Sequence, residues 1–583
     1  DIDQRPIPTD GREMLGRLLA LAPPARDYHE TDIRLGNAKP RPRTLPLTVT
    51  YDVGDQRQFN TVNGPMTATV AAITDNAYFW MEEGLAYSAD DLTAVVTRFD
   101  QELYPHITTR FGTEWSPGID GDPRFSILHL TQFESDELGY FDSVDEYPRH
   151  VFPESNEQEV IYLNLGDLRL GGDLYYGTLV HEMQHLVQWH LDPNEETWLD
   201  EGLSQLAEHT AGFDSFEVSD YLNNPALPLT EWGEADVYGH YAASALFMIY
   251  FQEQLGDEAV YDLAHHPADG MASVAAVLAV HRPDLTLEQF MSDWVVANFL
   301  RHGGWGTQYA YDYNFRLPRH DQRVSSVPFS EVRDLPQYGA RYIELPAGNY
   351  RLAFAGDTLV DMADAPETGR QIWLAPAVDN AEATLTTRLD LRQLTSATLE
   401  FDAWYDLEEE YDYAYVMAST DGGATWQVLD LGERAVFSSY GVGLTGQSAG
   451  WQRFALALED DGLTGQEILL RFTMLSDGGV SERGVALDNI AVPELGFLDV
   501  VEEGATLDWV AEGFTAVSAQ VPQQWSVQLI TYAGNGGEVV QMPLDGRNQG
   551  QWELSLTDSA TLVISPQTPL ARHTAGYWLS LDE

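Results

Sequence analysis

Two histidines with a glutamate between them form the part of this sequence best suited to chemistry. His181, Glu182 and His185 make the pattern H-E-x-x-H inside an apolar run that predicts one helix over residues 176–190. Residues four apart lie on the same face of a helix, so the two imidazoles converge on one point. Neutral imidazole nitrogens suit Zn²⁺. Glu182 lies about 100° round the helix from its neighbour, where it can act as general base on a water molecule.

A zinc site of this type needs a third protein ligand, and the chain must reverse direction to supply it. Pro193 ends the first helix, and a second helix is predicted over residues 195–210, with Gly212 as its C-terminal stop. Glu201 lies early in this helix, before Gly202, which lets a neighbouring group come close. Glu208 is expected either to hold an imidazole N–H or to be solvated. Spacing alone does not choose among Glu201 and the other acids nearby, which are Asp192, Glu195, Glu196, Asp200 and Glu208.

The segments HEMQH and ETWLDEGLSQLAE resemble the gluzincin metallopeptidases, most closely the hyicolysin family. The resemblance covers less than half of the chain. Gln205 stands where thermolysin-like gluzincins have aspartate, and Asp200 stands where asparagine is common, so the groups that orient the ligands are expected to differ. The resemblance implies three zinc ligands and a catalytic acid/base, namely His181, His185, Glu201 and Glu182.

The rival zinc site is that of the metzincins, in which a third histidine completes H-E-x-x-H-x-x-G-x-x-H. That pattern requires glycine and histidine at two positions where this chain has Gln188 and Leu191. His190 lies five residues past His185, so on a helix of about 3.6 residues per turn it faces away from the metal. The sequence therefore argues against a metzincin site.

Peptide hydrolysis also needs a donor for the oxyanion that forms opposite Glu182. The apolar run of residues 237–254 predicts a buried helix beneath the zinc site, and Tyr238, His240 and Tyr241 lie at its start. The family resemblance places an aromatic hydroxyl in a stretch that falls best on Tyr241. All three residues also fit a packing role with backbone partners. Tyr241 is the predicted oxyanion donor.

Composition limits the class of protein and its partners. A chain of 583 residues is too long for one hydrophobic core and predicts about three or four domains. With 92 acidic against 31 basic residues, the formal charge of −61 would repel nucleic acid and anionic membranes. The sequence has no cysteine, and no apolar run in it is long enough to span a membrane. We expect a protein or peptide substrate, a monomer and, from the domain content, secretion.

Sequence periodicity divides the chain into an α+β part and an all-β part. Residues 1–45 fit an N-terminal arm or a propeptide remnant, and residues 46–320 fit an α+β zincin-like catalytic domain. In that domain, residues 160–164 predict either a cleft-lining edge strand or an ordinary core strand. Beyond Pro318 alternation with period two predicts all-β domains. Residues 321–366 are expected to form strands that link to or form part of a split sandwich. Residues 367–493 are expected to form a jelly-roll β-sandwich, and residues 494–583 a C-terminal β domain.

The jelly-roll segment resembles the module that follows the peptidase domain in immune inhibitor A metalloproteases. The stretch WYDLEEEYDYAYVMASTDGG and the later LDNI carry this resemblance. Carboxylates crowded on one edge of the sandwich would repel one another unless a cation lay between them, and such oxygen ligands suit Ca²⁺. A solvated acidic loop is the alternative. The predicted calcium ligands are Asp406, Glu408, Asp412 and Asp488.

These features together predict a secreted zinc endopeptidase, with Zn²⁺ and, in the sandwich, Ca²⁺ as cofactors. An endopeptidase is preferred to an aminopeptidase because the sequence lacks the G-x-M-E-N stretch that anchors a free amine in that gluzincin branch. The alternative from another class is a non-catalytic binding protein that works through its β-sandwiches. Such a protein would be expected to have a damaged site, whereas all four site residues are present here.

Overall fold

The computed structural model describes residues 2–45, 49–133, 137–214, 216–233, 235–366, 371–501 and 508–583. Most helices lie in the N-terminal half and most strands in the C-terminal half, as the periodicity predicts. None of the helices within these ranges has the length and apolar composition that a membrane crossing requires. The helices are α1 (Gly11–Leu19), α2 (Tyr28–Arg34), α3 (Ala89–Arg98), α4 (Tyr104–Arg110), α5 (Asp173–Leu191), α6 (Thr197–Ala211), α7 (Ser219–Asn223), α8 (Val237–Leu255), α9 (Asp257–Ala264), α10 (Gly270–His281) and α11 (Leu287–Leu300).

One sheet underlies the N-terminal half, with its strands in the order β1-β2-β3-β4-β6-β5. Strand β4 runs parallel to β3 and β6, whereas β5 runs antiparallel to β6 and forms the edge. Residues 160–164 are therefore a core strand, and their interpretation as an edge strand is wrong because β5 covers them. The strands are β1 (Gln56–Thr61), β2 (Gly64–Ile73), β3 (Ala77–Glu82), β4 (Phe125–Leu130), β5 (Gly139–Phe141) and β6 (Val160–Asn164).

The alternating stretch LPLTVTYDV at residues 45–53 predicts a further strand, but the described part of it is not one. Residues 49–53 are in neither helix nor strand, and residues 46–48 lie outside the described residues.

The helices pack on the sheet through a continuous apolar core that includes Phe79, Ile127 and Ile161 from the strands and Leu179 and Met183 from α5. The helix that carries the H-E-x-x-H pattern is thus held on the sheet by its buried face.

Strands dominate the chain beyond α11. They are β7 (Gln322–Arg323), β8 (Phe329–Leu335), β9 (Arg341–Leu345), β10 (Gly348–Gly356), β11 (Leu359–Asp361), β12 (Gln371–Ala375), β13 (Glu382–Asp390), β14 (Thr398–Asp406), β15 (Tyr413–Ser419), β16 (Gln427–Val428), β17 (Val436–Ser438), β18 (Gly441–Gly443), β19 (Gln452–Ala457), β20 (Glu467–Leu475), β21 (Gly484–Val492), β22 (Phe497–Asp499), β23 (Val510–Glu512), β24 (Thr515–Ser518), β25 (Gln520–Pro522), β26 (Trp525–Ala533), β27 (Gly536–Gln541), β28 (Gln549–Leu556), β29 (Ala560–Pro566) and β30 (Ala575–Asp582).

Two pairs of sheets organise these strands. In the first pair, the sheet β19-β14-β21-β12-β24 packs on the sheet β16-β15-β20-β13-β23, and Phe401 and Phe472 meet edge to face between them. In the second pair, β28-β10-β30-β8 and β27-β26-β29-β9-β7 share a separate core. The second pair therefore combines strands that precede and follow the first pair along the chain.

The N-terminal arm packs on the first of these sandwiches. Met14, Leu15 and Leu18 of α1 are buried in a cluster with apolar residues of β12 and β24, and Arg34 forms an ion pair of 2.6 Å with Glu382 on β13. The division of the chain into domains, and the origin of the arm as a propeptide remnant, stay predictions.

Candidate functional site

The side chains of His181, His185 and Glu201 converge between α5 and α6. Glu201 Oε2 lies 3.3 Å from His181 Nε2 and 3.5 Å from His185 Nε2, and the two Nε2 atoms are 3.1 Å apart. One ligand atom from each residue thus falls within 4.8 Å of the other two. Of the acids that spacing left open, Glu201 is the one that joins the two histidines in this group within the described residues.

Two further carboxylates hold the opposite nitrogens of the imidazoles. Glu208 Oε1 lies 2.9 Å from His181 Nδ1, and Asp200 Oδ2 lies 3.0 Å from His185 Nδ1. An Nδ1–H donated to a carboxylate leaves Nε2 as the lone-pair nitrogen, which is the tautomer that a metal needs. Glu208 therefore orients the imidazole of His181, and Asp200 orients that of His185.

The donor set fits Zn²⁺. Both Nε2 atoms face Glu201 Oε2, which is buried and has no hydrogen-bond partner among the described residues. A carboxylate oxygen buried without a donor is costly, and a cation would remove that cost. Two imidazoles and one carboxylate are the usual protein ligands of a catalytic zinc with an open fourth position.

Gly202 lets the helix that carries Glu201 approach α8. A Cβ at this position would lie 2.8 Å from Met248 Cγ and 3.2 Å from Ser244 O, both on α8. No larger residue fits without a shift of the helices, because a backbone oxygen is one of the obstacles. This close contact brings the start of α8, and with it Tyr241, to Glu201.

Tyr241 is the aromatic residue of α8 that reaches the site. Its hydroxyl donates to Glu201 Oε1 at 3.1 Å. Tyr238 is 76% exposed, and His240 is buried and stacks on Trp232 instead. The negative charge of Glu201, followed by burial, raises the pKa of Tyr241, so the phenol keeps its proton and remains a donor.

Glu182 lines the cleft and is almost fully buried. Burial raises its pKa to about 7, against the lowering effect of the two histidines. A carboxyl group with a pKa near neutrality can both accept and return a proton. Strand β5 comes close above it, since a Cβ at Gly139 would lie 3.1 Å from Glu182 Cγ.

The cleft around these residues has a volume of about 410 Å³ and two different walls. Strand β5 lines one side, and Asp379, Asn380, Gly478 and Gly479 of the first sandwich line another. Asp379 Oδ2 accepts hydrogen bonds from the backbone N–H and the hydroxyl of Thr197, the first residue of α6, at 2.8 and 2.6 Å. Sequence reasoning missed this contribution, because no motif marks these loop residues.

The structure does not bring the four predicted calcium ligands together. Asp406 is held by an ion pair of 2.5 Å with Arg483, and Asp488 lies in β21, where its carboxylate accepts the Asn489 backbone N–H. The prediction is therefore wrong for Asp406, which Arg483 neutralises, and for Asp488, which the register of β14 and β21 places opposite Asp402 and not opposite Asp406. Glu408 and Asp412 do approach each other, with Asp477 as a third member.

Comparison with known proteins agrees with the two resemblances. Residues 360–519 match the family model for the immune inhibitor A-like MAM domain. The chain is 26% identical over 280 residues to the neutral metalloprotease ShpI of Staphylococcus hyicus, which covers 42% of this chain and 63% of that protein. It is 32% identical over 128 residues to immune inhibitor A of Bacillus thuringiensis subsp. alesti, covering 22% of this chain and 18% of that protein.

A third relative is the pre-pro-metalloprotease PrtV of Vibrio cholerae serotype O1, with 26% identity over 26% of this chain and 16% of that protein. The chain thus spans less than two thirds of the length of each of these relatives. Among solved structures, the structure of infectious bursal disease virus Gx strain aligns over 42% of this chain and 41% of that chain, at 12% identity and a TM-score of 0.12, which is too low to indicate a shared fold. The chain is therefore a homologue of the hyicolysin-like neutral metalloprotease ShpI and of immune inhibitor A, with an immune inhibitor A-like MAM domain in its C-terminal half.

Proposed function

We propose that this protein is a secreted zinc endopeptidase with a zincin-like catalytic domain. The observation that carries the proposal is the convergence of His181 Nε2, His185 Nε2 and the unpartnered Glu201 Oε2. Two of its relatives, ShpI and PrtV, are named as metalloproteases, and these names support the reaction class. Secretion is supported by the name of one relative as a pre-pro-metalloprotease.

The residues of the site have complementary roles in this reaction. Held by the two histidines and Glu201, Zn²⁺ would acidify a water molecule and polarise the substrate carbonyl. Glu182 takes the proton from the attacking water and passes it to the leaving amine as the C–N bond breaks. Tyr241 turns its O–H from Glu201 Oε1 to the carbonyl oxygen of the substrate as that oxygen gains negative charge.

Strand β5 is the proposed binding site for the substrate backbone. It lies at the edge of the N-terminal sheet and borders the cleft, so it can pair with an extended peptide. Pairing of this kind uses backbone groups along the peptide and does not require a free terminus. It therefore supports an endopeptidase over an aminopeptidase.

Replacing Tyr241 by phenylalanine should lower kcat by about 10²-fold, because the oxyanion loses one donor. The effect should fall on kcat more than on KM, since the hydrogen bond forms as charge develops in the transition state. Steady-state kinetics on a quenched fluorescent peptide measures both constants. Tyr238→Phe is the matched control, because Tyr238 is 76% exposed on the same helix and should keep wild-type kinetics. Equal kcat in Tyr241→Phe and wild type would exclude the oxyanion role.

A substrate panel tests the proposed function as a whole. Zinc-loaded protein should digest casein and internally quenched peptides with blocked N-termini, lose this activity with a zinc chelator and regain it when zinc is restored. Cleavage of free peptides with none of blocked ones would assign an aminopeptidase. Absence of cleavage on every substrate, with zinc bound, would favour a binding protein that keeps the scaffold.

A further inference from the structure

A second group of carboxylates lies at one end of the first sandwich. Glu408, Asp412 and Asp477 each contribute an oxygen that falls within 4.8 Å of the other two. Glu408 and Asp412 belong to the loop between β14 and β15, where the Asp412 N–H donates to the Glu408 carbonyl at 3.0 Å and closes a helical turn. Asp477 follows β20. Like charges this close oppose one another unless a cation or protons intervene.

Asp412 gives an independent indication of a ligand. It is 1% exposed, its Oδ1 accepts the Asp477 N–H at 3.1 Å, and its Oδ2 has no hydrogen-bond partner among the described residues. Asp477 Oδ1 is also buried and also has no hydrogen-bond partner among the described residues. Burial, with the charges of Asp477 and Glu408, raises the pKa of Asp412 to about 8. A buried carboxylate oxygen without a hydrogen-bond partner is destabilising, and a bound cation would remove that cost.

No ion pair among the described residues neutralises these three acids within 4.0 Å. Arg26 of the N-terminal arm is a base in this region, and its positive charge favours the ionised form of Asp477. Its guanidinium donates to the backbone oxygen of Ser476 at 2.8 Å. The charge of the cluster is therefore left largely for an ion to balance.

The chemistry of the cluster selects Ca²⁺ over the other common cations. Carboxylate oxygens are hard ligands, and Ca²⁺ accepts six to eight of them at about 2.3–2.6 Å in flexible geometry. Two such bonds on opposite sides of an ion span about 4.6–5.2 Å, so three oxygens that lie within 4.8 Å of one another can all reach a single ion. Zn²⁺ favours nitrogen and sulfur, and Mg²⁺ demands a stricter octahedron.

The loop that follows Asp477 reaches the catalytic cleft. Gly478 and Gly479 line the cleft, and the Asn380 N–H donates to the Asp477 backbone oxygen at 2.7 Å. Asn380 lines the cleft as well. The position of Asp477 therefore fixes two segments of the cleft wall.

We propose that Glu408, Asp412 and Asp477 bind Ca²⁺, and that the ion holds residues 476–479 as the sandwich-side wall of the cleft. Ca²⁺ would then strengthen the binding of long substrates that reach this wall. The second half of this proposal rests on the proposed peptidase function, whereas the first half does not.

Calcium binding is measured by titration calorimetry on the full chain carrying Glu182→Gln, freed of divalent metal over a chelating resin and then reloaded with zinc. This parent should bind a single Ca²⁺ at the cluster, and Asp412→Asn should weaken the affinity by about tenfold or more, because a charged ligand is lost. Glu409→Gln, at an exposed neighbour in the same loop, is the matched control and should bind as the parent does. Equal affinity in Asp412→Asn and the parent would overturn the site.

Thermal unfolding separates a lost ligand from a damaged fold. Without calcium, Asp412→Asn should melt at or above the Tm of the parent, because the amide is neutral at every pH whereas the buried carboxyl must hold a proton to be neutral. With calcium, the parent Tm should rise and that of Asp412→Asn should stay unchanged. A Tm of Asp412→Asn that falls below the parent value without calcium, and that calcium raises equally in both, would assign Asp412 a purely structural role.

The coupling to the cleft is tested on wild-type protein with bound zinc. Calcium should lower KM for a long peptide severalfold and leave zinc content and the kinetics of a short peptide unchanged. Equal KM for the long peptide with and without calcium would overturn the coupling. Absence of all cleavage together with normal calcium binding would instead count against the proposed peptidase and leave the calcium site standing.

Discussion

Replacing Glu201 by alanine should release the zinc and reduce peptidase activity by about 10³-fold or more, since the metal contributes several kcal/mol to the transition state. Glu201 Oε2 is the atom that faces both Nε2 nitrogens, so its loss leaves two ligands where three are needed. Zinc per chain is measured by elemental analysis after dialysis, and activity is measured on a quenched peptide.

Glu258→Ala is the control for the Glu201 variant. Glu258 lies exposed on α9, away from the cleft, and its substitution should keep both zinc and activity. Circular dichroism should give the same helix content for both variants, because α6 is also held by its packing on α8. Full zinc content in Glu201→Ala would mean that another acid is the third ligand.

Glu182→Gln should reduce kcat by about 10²–10⁴-fold and retain the zinc, because the substitution removes the proton acceptor and keeps the size of the side chain. The contrast with Glu201→Ala separates the base from the ligands: one variant is inactive with metal, the other inactive without it. The same elemental analysis and peptide assay measure both quantities. A Glu182→Gln protein with wild-type kcat would remove Glu182 from the mechanism.

Much of the site could be predicted because it is encoded locally. Helix periodicity placed His181 and His185 on one face, and Pro193 marked the reversal before α6. Spacing alone could not choose Glu201, since Asp200 and Glu208 fit as well, and the family resemblance was needed. The structure places those two acids on the outer nitrogens of the histidines.

Features that depend on long-range pairing could not be predicted. Strand β5 is three residues long and leaves little periodic signal, so the core strand β6 looked like an edge. Asp477 joins Glu408 and Asp412 only because β20 pairs with β15, and Asp406 is neutralised by Arg483 from beyond that strand. Sheet register decides which acids meet, and single-sequence patterns do not contain it.

The central claim is that His181, His185 and Glu201 hold zinc, and anomalous diffraction at the zinc absorption edge tests it most directly. Crystals of the zinc-loaded protein should give an anomalous peak within about 2.0–2.2 Å of the two Nε2 atoms and the Glu201 carboxylate. A peak at other ligands, or none between these three residues in protein that cleaves peptides, would contradict the account.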